Sequence, residues 1–255
     1  NVLAGLQKNY QGLVQINGEN PSPKKQTIGF IPQNYGLLPW LTVKENILLG
    51  LKIKKEAKQG LPRNLVDNLG LSNLLNRYPN NLSGGQQQRV SLARAFALKA
   101  DLLLMDEPFS ALDAITREEM QDVFIDLWQK QKVSTILVTH YVEEALYLGQ
   151  KIIVMTSAPG GIYKIIDNPL FSDKNFRDRE IFSSLSKEIR NYLKKAGSKN
   201  ERKIMAFLFT CNDIIAYFMV CYIYNRTFAN YSFACFGNGK IGQYFYTNNS
   251  YSCTI

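Results

Sequence analysis

Cysteine is absent from the first 196 residues; the chain's four, Cys211, Cys221, Cys235 and Cys253, all lie beyond residue 200. That excludes a disulfide framework or a cysteine-based metal site from the body of the chain. Histidine is rarer still, a single His140, so no metal-ligand spacing is present. No G-x-x-x-x-G-K-[ST] occurs in the 255 residues, so the chain itself carries no phosphate-cradling loop of that type. The net charge is +9, but the lysines and arginines are scattered rather than massed. Such a distribution leaves no nucleic-acid footprint, while it suits a protein that works near an acidic membrane surface or binds nucleotide. The length is enough for one large α/β domain with some excess.

What is there centres on residues 82–113: Leu82-Ser-Gly-Gly-Gln-Gln-Gln-Arg89, then Val90 to Ala100, then Asp101-Leu-Leu-Leu-Met-Asp-Glu-Pro108 and Phe109-Ser-Ala-Leu-Asp113. The order predicts a loop, a helix from Gly85 to about Lys99, a buried strand and a carboxylate pair at its end. Ser83 is a good N-cap, and Gly84 and Gly85 let backbone and ligand approach closely. A helix N-terminus with free N–H groups attracts anions, phosphate above all. Leu102 to Met105 is a short apolar run of the kind found in fully buried parallel strands. Asp106 and Glu107 then emerge at the carboxyl end of a strand, where open α/β sheets bind ligands. Each piece alone is commonplace: an Asp-Glu is usually a polar strand end, and a Ser-Gly-Gly usually a turn. Joined in this order they resemble the signature loop, Walker B strand and D-loop of ATP-binding cassette (ABC) ATPases.

Other stretches extend the resemblance. Thr27–Ile31 reads as a short strand ended by Pro32-Gln33, and Gln33 resembles the Q-loop glutamine. An amide at such a place coordinates magnesium and water through its oxygen without adding charge. Gly36-Leu-Leu-Pro-Trp-Leu-Thr-Val-Lys-Glu-Asn-Ile47 is similar to the nitrate, sulfonate and taurine branch of ABC importers. Trp40 then either lines a groove that receives a permease coupling helix or packs internally. Val43–Tyr78 reads as short helices, the first capped by Thr42 with Glu45 at the capping-box position; Lys52, Lys54, Lys55 and Lys58 form a solvated basic face. Residues from about 40 to 95 form the helical subdomain. Only 48 residues separate Gln33 from Leu82, which leaves no room for a long coiled coil. Ala114–Lys130 predicts an amphipathic helix with Ile115, Met120, Val123, Phe124 and Leu127, and Val133–Thr139 a buried strand that delivers His140. A lone histidine is commonly structural; this one matches the H-loop switch histidine, a neutral imidazole able to donate to a γ-phosphate. Lys151–Thr156 and Ile162–Ile166 read as strands joined by the turn Ala158–Gly161. Arg177–Lys195 reads as a helix with Ile181, Leu185, Ile189 and Leu193 inward.

The resemblance covers about residues 1–196. It implies an α/β fold, a P-loop NTPase-like parallel sheet core with a helical signature subdomain. It implies an ATPase subunit using ATP and Mg2+, peripheral on the cytoplasmic face of the cell membrane. Its partners are membrane permease subunits, a second ATPase subunit in a head-to-tail homodimer and a separate solute-binding protein, with no nucleic acid. Asp106 holds the magnesium shell, together with Gln33; Glu107 and His140 are catalytic; Ser83, Gly84, Gly85 and Gln86 close over the partner's ATP, and Asp113 contacts the opposite subunit. Two other readings stay open: a non-transport ABC ATPase acting with nucleic acid, and a catalytically dead permease-binding subunit. In the family, a step like Asn1-Val-Leu-Ala-Gly-Leu6, read as a helix end closed by Gly5, follows directly on the phosphate loop. The expectation is a truncated N-terminus, with a degenerate protein as the alternative, and a chain that does not hydrolyse ATP by itself.

Composition shifts near Gly197. Of 30 aromatic residues, 14 fall in the last 59 positions, which marks 197–255 as a tail unrelated to the family. Ile204–Ile223 is an apolar window long enough to span a bilayer, but Asp213 within it costs about 2.5–3.5 kcal/mol to insert. Codons that encode Ala206–Ile255, read one base later, permit an apolar helix and a Leu-Pro-rich segment resembling the start of a permease. On that reading the tail is the product of a shifted frame.

Overall fold

The computed structural model describes residues 2–7, 14, 16, 19–22, 24–55, 60–156, 161–196, 204–208, 231–237, 240–247 and 250–254, with side chains described up to residue 196. These fall into two compact units, Thr27–Thr139 and Asn1–Gln26 with His140–Ile255.

The Thr27–Thr139 unit is an α/β layer. Strands β1 (Ile28–Ile31), β2 (Leu102–Asp106) and β3 (Ser134–Thr139) lie side by side in that order, all parallel. Parallel neighbours need crossover connections, and helices supply them here. Helices α1 (Val43–Ile53), α2 (Arg63–Asn68) and α3 (Gly84–Ala97) lie between β1 and β2, and α4 (Ala114–Gln131) between β2 and β3. β2 is buried along Leu102–Met105, as a central strand covered on both faces must be. Asp101 staples the sheet's entry: its Oδ2 accepts from Thr27 N at 2.8 Å, and its own N donates to Thr27 O at 2.8 Å. The core lies where α3 and α4 meet, with Phe124 edge-on to Phe96 and to Phe109 at ring separations of 5.9 and 6.4 Å.

Helix starts follow the sequence closely. Thr42 caps α1, with Glu45 completing the capping box, and Val43, Ile47 and Leu51 are buried at a spacing of four. Ser83 caps α3 and Asp113 caps α4. Two expectations fail within the unit. Ile115, assigned to the apolar face of α4, is 74% exposed; it sits in the helix's first turn, before the stripe led by Met120 reaches the core. Lys54 is not part of a solvated face: it is half-buried and donates to Thr27 Oγ1 at 2.9 Å. Lys58 lies outside the described residues.

In the second unit, α5 (Val142–Leu148) leads into β4 (Lys151–Met155), which pairs antiparallel with β5 (Ile162–Asp167). The expected turn at Ala158–Gly161 falls mostly outside the described residues. Asn168 fastens this region, its Nδ2 donating to Leu146 O and Gly149 O at 2.6 Å each. The final helix, α6 (Glu180–Ala196), starts later than expected because Phe176–Asp178 forms a 3₁₀ turn. Leu185, Ile189 and Leu193 are buried, but Ile181, in the first turn, is 47% exposed. Near the N-terminus, Val2–Gly5 is a hydrogen-bonded turn with Gly5 left-handed (φ 69°) rather than regular helix. The strand expected over Gly12–Gly18 lies mostly outside the described residues; Ile16 makes an isolated bridge to Glu19.

The apolar window at Ile204 does not begin as a membrane helix. Ile204–Leu208 is a strand, β6, antiparallel to β4. Polar backbone groups find partners in the sheet there, which a bilayer could not offer to a lone strand. The rest of the window lies outside the described residues, and no described helix is long and apolar enough to cross a membrane. Three further strands, β7 (Tyr231–Gly237), β8 (Lys240–Thr247) and β9 (Ser250–Thr254), form an antiparallel meander.

Candidate functional site

Two of the sequence-predicted segments meet at the carboxyl end of the parallel sheet in the Thr27–Thr139 unit. β1 ends at Ile31 and delivers Gln33; its neighbour β2 ends at Asp106 and delivers Glu107. Adjacent parallel strands bring their ends together, and Gln33 Nε2 donates to Glu107 Oε2 at 3.2 Å. Glu107 has a left-handed backbone (φ 48°), a conformation that costs an ordinary side chain roughly 1–2 kcal/mol. The bend is held by Glu107 N donating to Val138 O at 2.8 Å, and by Ser110 Oγ and N donating to Glu107 O at 2.9 and 3.2 Å. Asp106 and Glu107 are both half-buried, so each keeps access to solvent or ligand while its backbone is fixed.

The signature helix starts against Tyr35, Leu112 and Thr116. Ser83 Oγ accepts from Gln86 N at 3.3 Å, and Ser83 N donates to Gln86 Oε1 at 3.1 Å. This box satisfies two of the helix's orphan groups and leaves its first turn without an acidic side chain. The two glycines have a structural reason as well as the expected one of ligand approach. A Cβ on Gly85 would stand 2.9 Å from Thr116 Cγ2, and one on Gly84 would stand 3.4 Å from the Tyr35 hydroxyl and 3.7 Å from Leu112 Cδ2. The signature therefore lies between the Gln33 loop and the segment that leads to Asp113.

Asp113 is exposed and caps α4, its Oδ1 accepting from Thr116 N at 3.0 Å. That hydrogen bond holds its carboxyl below the usual carboxylate range. Arg117 braces the segment before it, donating to Phe109 O at 3.2 Å and Leu112 O at 2.8 Å. His140 belongs to the other unit. It is exposed, directly precedes the N-cap residue of α5, and its ring lies 4.0 Å from that of Tyr141.

Trp40 does not pack internally. It is 69% exposed, on a loop held from beneath by buried Asn46. That amide donates to Leu38 O, Leu41 O and Thr42 O at 3.0–3.1 Å and accepts from Leu38 N at 2.9 Å. Sequence reasoning passes over Asn46, Ser91, Arg94 and Arg117. The available signal is polarity out of place: an Asn between apolar Val43 and Ile47, and Ser91 and Arg94 inside an otherwise apolar run.

The donor set suits a hard, oxygen-seeking cation. Asp106, Glu107 and the Gln33 amide oxygen are oxygen donors, and no cluster of three or more acidic, histidine or cysteine side chains with metal-binding geometry occurs among the described residues. Magnesium is bound in this sparing way, by one or two carboxylates completed by water and phosphate oxygens.

Comparison with known proteins settles the family. The ABC transporter family profile matches residues 1–110. An aliphatic sulfonates import ATP-binding protein of Bacillus cereus is 38% identical over 188 residues, 74% of this chain and 74% of that protein. The chain belongs to the ABC transporter family. Its branch is that of the importer ATP-binding subunits, whose members bind ATP and couple its hydrolysis to transport. The bicarbonate transport ATP-binding protein of Synechocystis is 36% identical over 201 residues, 75% of this ABC chain and 70% of that one. The nitrate import ATP-binding protein of the same organism is 39% identical over 166 residues, 64% of this chain and 62% of that one. Importer ATPases of this kind work with a membrane permease.

Proposed function

We propose that this subunit energises uptake of a small anion of the sulfonate, nitrate or bicarbonate class, the solutes named for its relatives. The observation that carries the catalytic part is the Gln33–Glu107 hydrogen bond, which joins a neutral amide and a carboxylate at the ends of two adjacent parallel strands. Glu107 is the general base toward water, and its bent backbone presents the carboxylate outward from the strand. Asp106 and the Gln33 amide oxygen hold Mg2+, which, when bound, neutralises charge on the phosphates. His140 donates to the γ-phosphate and orients the attacking water. Two subunits pair head to tail, so Ser83, Gly84, Gly85 and Gln86 close over the partner's nucleotide, and Asp113 meets the opposite subunit. The uncharged first turn of α3 supports this, because a helix start of that kind attracts phosphate.

The exposed Trp40, braced by Asn46, is the contact for a permease segment. The subunit sits peripherally on the cytoplasmic face of the membrane, and a separate solute-binding protein delivers the anion. The 255 residues contain no phosphate loop of the G-x-x-x-x-G-K-[ST] type, so a polypeptide of this sequence alone turns over no ATP. Turnover requires such a loop in the assembled importer.

The deciding experiment measures ATP turnover in proteoliposomes that hold the permease and this subunit with a G-x-x-x-x-G-K-[ST] loop joined ahead of Asn1. Replacing Glu107 by Gln lowers kcat by about a hundredfold or more while ATP still binds, the size expected for loss of a general base. Turnover that survives this change would remove Glu107 from the reaction and with it the proposed site.

A further inference from the structure

The loop that carries Gln33 is tied to the helix that carries the signature, and the tie uses side chains with no part in the chemistry proposed above. Pro32–Gly36 folds tightly on itself: Tyr35 N donates to Pro32 O at 3.0 Å and Gly36 N to Asn34 O at 2.7 Å. Tyr35 and Gly36 are consecutive left-handed residues, with φ of 63° and 62°. Glycine adopts that backbone freely, whereas for tyrosine it costs roughly 1–2 kcal/mol and must be held from outside.

Three bonds from α3 hold it. Ser91 Oγ donates to Tyr35 O at 2.9 Å, Arg94 Nη2 to the same oxygen at 2.9 Å, and Arg94 Nη1 to Gly36 O at 2.6 Å. The rigid fork of a guanidinium reaches two neighbouring carbonyls through two separate nitrogens, a geometry that the single ammonium nitrogen of lysine does not reproduce. The space around the turn is full: a Cβ on Gly36 would stand 2.8 Å from Pro32 Cγ and 3.3 Å from Arg94 Nη2. Burial pushes the Arg94 pKa down, consistent with its close packing. At the start of the same helix the Tyr35 hydroxyl lies over Gly84. Between these contacts, on the face shared by Gly84 and Ser91, Gln88 is fully buried and its amide atoms have no partner among the described residues.

We infer that Arg94, assisted by Ser91, is a positioning residue that makes the Gln33 loop and the signature helix move as one body. A displacement of Gln33 passes through the Tyr35 and Gly36 carbonyls to α3, and so to Ser83–Gln86 at its start. The functional consequence rests on the roles proposed above for Gln33 and the signature; the mechanical tie does not, and it is tested without nucleotide.

The test is amide hydrogen exchange on the full chain, read at Gln86 and Gln87. Gly36→Ala is the probe, because its methyl group must push the loop away from Pro32 and Arg94. In the otherwise unchanged protein it speeds exchange at Gln86 and Gln87 by about tenfold. In Arg94→Lys, which keeps the charge and loses the fork, the same probe changes those amides by less than about twofold, a non-additivity that mere loss of stability does not produce. Ser91→Ala removes one bond of three and lowers the coupling in part; it carries the comparison by itself if Arg94→Lys fails to fold. An equal response to Gly36→Ala with and without the fork, or no response in either, overturns the tie. If the coupling disappears in Arg94→Lys but ATP turnover of the assembled importer stays the same, the tie stands and the roles given to Gln33 and the signature fall.

Discussion

Helices α1 and α3 begin with the same hydrogen-bonded device and differ by one charge. Thr42 and Glu45 close one capping box, Ser83 and Gln86 the other. In α1 the third residue is a carboxylate, accepting from Thr42 N at 2.8 Å and Thr42 Oγ1 at 2.9 Å. Its negative charge sits against the positive end of the helix and neutralises it from within. In α3 an amide makes the same reciprocal bonds without charge, and no acid stands in the first turn. The second positions differ too: Lys44 in α1 is exposed, whereas Gly85 in α3 has Thr116 against it. The difference separates a helix start neutralised by its own carboxylate from one left without an acid, as the phosphate contact proposed for it requires.

The largest effect is expected where the charges are exchanged. Gln86→Glu preserves the box and adds a carboxylate at the proposed phosphate contact. Turnover of the assembled importer then falls about 10–100-fold, equivalent to roughly 1.4–2.7 kcal/mol, with thermal stability unchanged or raised. Undiminished turnover would mean that the uncharged first turn has no electrostatic purpose. Next comes Gly85→Ala, whose methyl group must displace Thr116; urea denaturation should show a loss of about 1–3 kcal/mol. Thr116→Ser in the same chain restores most of it, while Lys44→Ala at the matching place in α1 stays within about 0.5 kcal/mol. Removing the caps ranks third: Thr42→Ala and Ser83→Ala each cost about 1 kcal/mol of stability, but only Ser83→Ala also weakens ATP-dependent pairing of subunits.

The smallest effect is a pH dependence. Hydrogen bonds from Thr42 backbone and side chain hold Glu45 below its ordinary pKa. A depressed folded-state pKa contributes stability above the unfolded value and loses it as pH falls through the folded value. Urea midpoints followed from neutral pH down through the carboxylate range should therefore fall less steeply in Glu45→Gln than in the parent. Gln86→Ala changes no such slope, because Gln86 does not titrate.

Local chemistry makes much of the Thr27–Thr139 unit legible in the sequence. Thr42 and Ser83 are cap-forming residues ahead of apolar periodicity, and both cap helices; Asp113, expected only to meet a second subunit, also caps one. The apolar run Leu102–Met105 could only be satisfied by burial on both faces. What is not legible depends on partners distant along the chain. Nothing near Arg94 announces that its acceptors are the carbonyls of Tyr35 and Gly36, and nothing near Gly85 announces Thr116. Ile115 and Ile181 fit the helical period, but periodicity does not say where along its length a helix meets the core. The window from Ile204 is long and apolar enough for a bilayer, but hydropathy does not say whether such a segment is helix or strand, and Ile204–Leu208 is a strand paired with β4.

Trp40 gives the molecule an optical asymmetry. The chain has two tryptophans: Trp40 stands in solvent, while Trp128 is buried with its indole N–H donating to Val133 O at 2.7 Å. Emission from the buried indole is already blue and cannot move much when a partner arrives. A blue shift on adding a permease whose own tryptophans have been replaced would therefore report on Trp40, the contact proposed for it, with no added label.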